Sequence, residues 1–254
     1  PREASLLIDA PLRRIDVRII CDDWAQAQSL TNRPVKINLP GPITFASRAP
    51  NSHYHSHEQL ARDYAQLLGA QLEALESAGC RWAQIDDPHI IWDFHKYPYG
   101  VECLNEALAF TRGKLKTVVH MCQGNTYSFD EDTVKEREAI YYKGVAPQLA
   151  ESRVDAIAIE KPNVPGLGEF GLREFGNKIV FLGLVDVADA SVESPSDIAD
   201  DIIKALKEVP ANRLVITPDC GIKHFPEQLA LQKLQSMRLA VDAVNKEIYK
   251  THNQ

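Results

Sequence analysis

Four side chains suited to metal chemistry stand where apolar segments end. His120 and Cys122 close Thr117-Val118-Val119, Glu160 closes Ile157-Ala158-Ile159, and Cys220 follows Leu214-Val215-Ile216-Thr217-Pro218-Asp219. In a strand, positions i and i+2 point to one side. The imidazole of His120 and the thiol of Cys122 therefore form half of a tetrahedral site, and Cys220 adds a second thiol. Two thiolates and an imidazole favour zinc over magnesium or calcium. Glu160 is read as the fourth ligand, or as a carboxylate that orients a loop or a ligating histidine. Closed structural sites use local Cys-x-x-Cys pairs; ligands spread from residue 120 to residue 220 suit catalysis. The chemistry such a zinc offers is to hold an incoming thiol as thiolate near neutral pH, ready to attack an electrophilic carbon.

Other candidates surround this set. Asp86 and Asp87 follow Trp82-Ala83-Gln84-Ile85 and precede Pro88. The proline pushes Asp87 out of helical geometry and explains a loop by itself. The functional reading is that one carboxylate, Asp86 before Asp87, anchors a substrate ammonium group. His53, His55 and His57 read as a polar loop with incidental histidines. Gly41, between Pro40 and Pro42, shapes a rigid turn and allows close backbone approach to a ligand.

The elements that must carry these residues follow a regular rhythm. Apolar strand-like runs lie near residues 35, 82, 117, 155, 178 and 213. Between them run helical patterns over 57–78, 99–112, up to about 150, 195–209 and 225–249, with Gly79 as a C-cap and Ser194 as an N-cap. Before them come a short helix from Asp23 to Leu30 and a hairpin around Leu6-Leu7-Ile8 and Val17-Arg18-Ile19-Ile20. Alternating strands and helices predict an α/β fold with a parallel sheet buried on both faces. A (β/α)8 TIM barrel needs two strands beyond these six. The sheet is open, or the chain shown lacks its first strands; the second reading is favoured, with residues 1–254 as a single domain. In such a barrel functional residues collect at the C-terminal strand ends, where Asp86, His120, Cys122, Glu160, Asp186 and Cys220 all fall.

Composition narrows the class. A net charge of −7 with no basic cluster argues against nucleic acid. No apolar run spans a bilayer, so no membrane role is expected. Five cysteines, three of them scattered, suit reduced thiols in a cytoplasmic enzyme rather than a disulfide framework.

Taken together, these residues resemble the catalytic domain of cobalamin-independent methionine synthase. Pro34-Val35-Lys36 and Leu39-Pro40-Gly41-Pro42-Ile43-Thr44, Gln84-Ile85-Asp86-Asp87-Pro88, His120-Met121-Cys122, Ile157-Ala158-Ile159-Glu160 and Pro218-Asp219-Cys220-Gly221 match that family's motifs along most of the chain. The resemblance implies a (β/α)8 barrel with zinc held by His120, Cys122, Glu160 and Cys220. It further implies homocysteine as the thiol acceptor, its amino group on Asp86, and methionine as product. Where the family segment carries a histidine implicated in protonating the departing folate, Gly183-Leu184-Val185-Asp186-Val187-Ala188 has Ala188. Asp186 or Asp189 could substitute only with a strongly raised pKa. The expected donor is therefore methylcobalamin or a corrinoid protein, as in short single-barrel core methionine synthases. The alternatives are a folate-dependent methionine synthase and a related zinc-dependent thiol alkyltransferase, for example one joining an epoxide to coenzyme M. A sulfonate would call for Arg48 or Lys161. A zinc-stabilised barrel that binds a thiol or a corrinoid protein without turnover is the non-enzymatic reading.

Overall fold

The computed structural model describes residues 7–13, 16–122, 144–161 and 170–252. Six strands form one sheet in sequence order: β1 (Lys36–Pro40), β2 (Trp82–Asp86), β3 (Lys116–Met121), β4 (Ala156–Ile159), β5 (Ile179–Val185) and β6 (Leu214–Pro218). The pairs β1–β2, β2–β3 and β5–β6 are parallel, and helices connect the strands. This is the α/β class, with six consecutive strands such as a (β/α)8 barrel contains. Each strand falls within a residue or so of its sequence-predicted position. The chain divides into two compact units, Pro1–Met121 with Glu151–Ala156, and Cys122–Ala150 with Ile157–Gln254.

In the first unit the long helix α3 (His57–Ala78) is fixed at both ends by its own sequence. The Ser56 hydroxyl accepts from the Gln59 N–H at 3.1 Å, and Gly79 closes the helix in the left-handed region at φ 97°. Leu60, Leu68, Leu72 and Leu75 form its fully covered stripe. Near its end, the buried Glu76 carboxylate accepts from the N–H groups of Arg112, Lys114 and Leu115 at 2.6–3.1 Å. These bonds pin the entry to β3 and help end the preceding helix (Gly100–Leu108) before the predicted Arg112.

The amino-terminal expectation fails. Val17 to Ile20 does not form a strand; helix α1 runs over Arg18–Ser29. The Asp16 carboxylate accepts from the Arg18 N–H at 3.0 Å and organises the helix start, while Trp24 buries its ring and donates to the Val35 carbonyl at 3.2 Å. Of the β-branched residues that suggested a strand, Ile19 is exposed while Val17 and Ile20 are half-buried. Of the proposed hairpin's first arm, Leu6 lies outside the described residues. Ile8 makes an isolated parallel bridge with Asn51.

In the second unit β5 and β6 pair in register from Val180–Leu214 to Gly183–Thr217, then slip by one residue so that Val185 faces Pro218. The helix Pro195–Ala205 starts at Ser194, whose hydroxyl accepts from the Asp197 N–H at 3.2 Å. The closing helix, Glu227–His252, contributes a wholly buried Lys233.

Candidate metal centre

Within the first unit, strand register builds the site. Asp86 at the end of β2 is the Cα partner of His120 at the end of β3. Adjacent strands lie about 4.8 Å apart, so side chains on the same face meet. His120 Nδ1 is 3.0 Å from Asp86 Oδ1, and Gln84 Nε2 donates to the same oxygen at 2.6 Å. Lys36 on β1 in turn donates to Gln84 Oε1. Burial pushes the Asp86 carboxyl up. The hydrogen bonds from His120 and Gln84, with the charges of His120 and Lys36, outweigh it and hold that carboxyl below its ordinary value. A carboxylate on Nδ1 fixes the ring and leaves Nε2 as the ligating nitrogen, the arrangement common to metal-bound histidines. Asp86 Oδ2 has no hydrogen-bond partner among the described residues.

Asp87, read from the sequence as more a turn residue than a functional one, is fully buried. Its carboxylate accepts from the Ile43 N–H at 3.2 Å and the Thr44 N–H at 2.6 Å. It thereby caps helix α2 (Pro42–Arg48), whose own N-cap, Gly41, has no side chain to do so. Gly41 is correspondingly compact: a Cβ there would lie 2.3 Å from Asp87 Cβ and Cγ. The space beside Gly41 thus belongs to Asp87, not to a ligand. Burial pushes the Asp87 carboxyl up to about 7, against the hydrogen bonds from Thr44 and Ile43.

His57 is also more than a loop residue. Its ring stacks on Tyr97 at 3.6 Å between centroids, with Nδ1 2.9 Å from the Tyr99 hydroxyl and Nε2 3.0 Å from Ser47 Oγ. Burial and the neighbouring Lys96 charge lower its pKa to about 4. Only its place at the head of an amphipathic helix could have singled it out from His53 and His55.

In the second unit the bulge ending β5 sets the approach to Cys220. The Asp219 N–H donates to the Val185 carbonyl at 3.0 Å, beside Gly183. Burial, then the charges of Asp186 and Glu193, push the Asp219 carboxyl up to about 7. Asp186 is exposed and occupied by its own loop: Oδ1 accepts from the Ala188 N–H at 2.6 Å. Asp189 accepts from the Ser191 N–H and hydroxyl, which hold it below its ordinary range. Asp189 therefore lacks the raised pKa a substitute acid would need, and Asp186 is engaged within its own loop. Lys161 pairs with Asp201 at 2.5 Å, and Arg48 lies exposed in the last turn of α2.

The ligand atoms of His120, Cys122 and Cys220 all lie within 4.8 Å of one another. Two ligands at about 2.3 Å from a tetrahedral zinc stand roughly 3.8 Å apart, so this donor set fits that ion. Glu160, at the end of β4, is half-buried and is not part of the three-residue group.

A family model described as cobalamin-independent synthase, catalytic domain, matches residues 4–243. A methionine synthase of Saccharolobus solfataricus is 32% identical over 91% of this chain and 64% of its own length. The methionine synthase of Thermococcus kodakarensis is 29% identical over 91% of this chain and 63% of its own. This chain thus spans less than two thirds of either relative. Among solved structures, a B12-independent methionine synthase from Shewanella in complex with selenomethionine superposes with a TM-score of 0.80 at 28% identity, over 95% of this chain and 70% of that one. These findings overturn the expectation of methylcobalamin or a corrinoid protein as donor, because both the matching family and the Shewanella enzyme are described by their independence of cobalamin. The absence of a histidine at Ala188 therefore does not decide the donor. Among the described residues no helix is long and apolar enough to cross a membrane.

Proposed function

Because the chain belongs to the cobalamin-independent synthase catalytic-domain family, we propose that it is a zinc-dependent methyltransferase that methylates the thiol of homocysteine to give methionine, working as one cytoplasmic domain. The observation that carries the reading is the convergence of His120, Cys122 and Cys220. The donor is a folate-type pteroylpolyglutamate. Zinc in this site would supply a thiolate at neutral pH. Catalytic zinc sites pair three protein ligands with a fourth, exchangeable position, and Glu160 is the candidate to fill it. Asp86 has two tasks: Oδ1 holds the His120 ring, and Oδ2 accepts the homocysteine ammonium. The selenomethionine complex of the Shewanella relative, a complex with a methionine analogue, supports an amino-acid thiol over a sulfonate-bearing one. The engagement of Lys161 by Asp201 points the same way.

The test is to load the protein with zinc, supply homocysteine and methyltetrahydropteroyl-triglutamate, and follow methionine. About one zinc per chain is expected, with Cys220→Ala losing both metal and turnover. Full zinc occupancy in Cys220→Ala, or activity confined to coenzyme M and an epoxide, would refute the proposal.

A further inference from the structure

Transfer of a methyl group from a folate-type nitrogen leaves an electron pair on that nitrogen, and the step needs a proton delivered there. Asp186 and Asp189 are committed to their own loop. A histidine reaches the same loop from elsewhere in the chain. His224 Nε2 lies 3.0 Å from the carbonyl of Val187, the residue before Ala188. A carbonyl can only accept, so Nε2 carries the hydrogen and Nδ1 is the nitrogen that gains and loses a proton. Nδ1 has no hydrogen-bond partner among the described residues, and the side chain is exposed.

Resting on the folate reading above, we infer that His224 is the general acid of the methyl transfer, positioned by the Val187 carbonyl and donating from Nδ1. Two features of the second unit support this. First, the segment bearing His224 also bears the metal ligand. The Asp219 N–H holds the Val185 carbonyl, Cys220 follows, and His224 comes four residues later. Second, the residue just before the carbonyl that orients the ring is held on both its backbone groups. The buried Lys233 donates to the Asp186 carbonyl at 3.0 Å and to Glu193 Oε1 at 2.9 Å, and Glu193 Oε1 also accepts from the Asp186 N–H at 2.8 Å. Phe225, tilted against His224 at 4.9 Å, sits under the Lys233 ammonium at 5.4 Å. The charged residues on the segments that meet here are Asp186, Asp189 and Glu193 on the loop after β5, Lys233 on the closing helix, and Asp219 and Lys223 on the segment that carries His224.

In the step, the homocysteine sulfur forms its bond to the methyl carbon and the nitrogen–methyl bond breaks with its pair going to nitrogen. The proton on His224 Nδ1 passes to that nitrogen. The neutral imidazole then regains a proton from water.

The test uses zinc-loaded His224→Gln, whose amide can still donate to the Val187 carbonyl. Single-turnover methionine formation is measured from the folate donor and, separately, from methyl iodide, whose leaving group needs no proton. The folate rate should fall by about 10²–10⁴-fold while the methyl iodide rate stays within about twofold. Zinc content and melting temperature should not change, and the folate rate should lose its dependence on an acidic group. Equal folate rates in the two proteins overturn the assignment, as does a matched fall with both donors, which would indicate a disturbed site. A selective folate defect in Asp219→Asn with normal His224→Gln would move the acid to Asp219. An unsubstituted protein that uses methyl iodide but not the folate donor refutes the donor reading itself.

Discussion

Gly183→Ala should damage the proposed metal centre without touching a proposed ligand. A Cβ at this position would lie 2.5 Å from Asp219 Oδ1, 2.6 Å from its Cα and 3.0 Å from its N. The carboxylate can rotate away, but the Cα and N are backbone. Reaching an ordinary carbon contact of about 3.5 Å requires the Asp219 backbone to retreat by roughly 0.9 Å. That backbone is bonded to the Val185 carbonyl and leads directly into Cys220. Zinc–sulfur distances tolerate only about 0.2 Å. Overpacking should cost about 1–3 kcal/mol of stability. Displacing one sulfur should lower zinc affinity on the order of 10–100-fold, or roughly 1.4–2.7 kcal/mol. Zinc affinity is read by competition with a chromophoric chelator, alongside thermal melting. Gly221→Ala is the matched control: it also adjoins Cys220, but a Cβ there meets nothing within 4 Å. Wild-type zinc affinity in Gly183→Ala, or equal damage from Gly221→Ala, would refute the close approach as the feature that places Cys220.

Asp86→Ala should weaken zinc binding by about 10–100-fold through the loss of its hold on His120. Asp86→Asn should recover most of that affinity yet keep a raised KM for homocysteine; unchanged zinc affinity in Asp86→Ala would leave only the ammonium role. Asp87 titrates near 7 in the fold against about 3.8 ordinarily, so the folded state binds the extra proton between those values. Its contribution is full below about 4 and is lost as pH rises through about 7; Asp87→Asn should flatten the stability–pH curve in that window, as chemical denaturation at several pH values would show. Leu68→Ala, at a wholly covered position on α3, should cost about 2–5 kcal/mol in denaturant unfolding with the urea m-value unchanged.

What the sequence reveals depends on whether a residue is placed by its own strand or by a distant partner. The strands near 82 and 117 are recognisable because Trp82-Ala83-Gln84-Ile85 and Thr117-Val118-Val119 are apolar runs long enough to be buried on both faces. A residue at the end of such a run inherits its position, which is why His120, Cys122 and Cys220 could be grouped before any coordinates. Asp87 is different. Its meaning lies in the N–H groups of Ile43 and Thr44, more than 40 residues earlier, and in a glycine that leaves room for it. Nothing in Asp-Asp-Pro announces a tertiary helix cap. The same holds for His57, whose partners Tyr97 and Tyr99 arrive from beyond β2. At the amino terminus the error was local: Val17 to Ile20 looks like a strand, but burial of Trp24 and the Asp16 contact decide for a helix.

The loop after β5 carries this distinction into the chemistry. A metal ligand must lie at bonding distance, so the proposed ligands sit at or just past rigid strand ends, His120 and Cys122 sharing one, and strand ends can be read along the chain. A proton donor need only present one nitrogen at a place where charge develops, and any segment the fold delivers can do that. Segment 185–189 has no histidine, yet the Val187 carbonyl accepts from one that the chain supplies 37 residues later. The tautomer that carbonyl imposes, with hydrogen on Nε2 and exchange at Nδ1, belongs to the pairing and to neither segment alone. A substitution scan of segment 185–189 would therefore leave this imidazole in place, whereas replacing His224 removes it and leaves the loop, held by Lys233 and Glu193, intact.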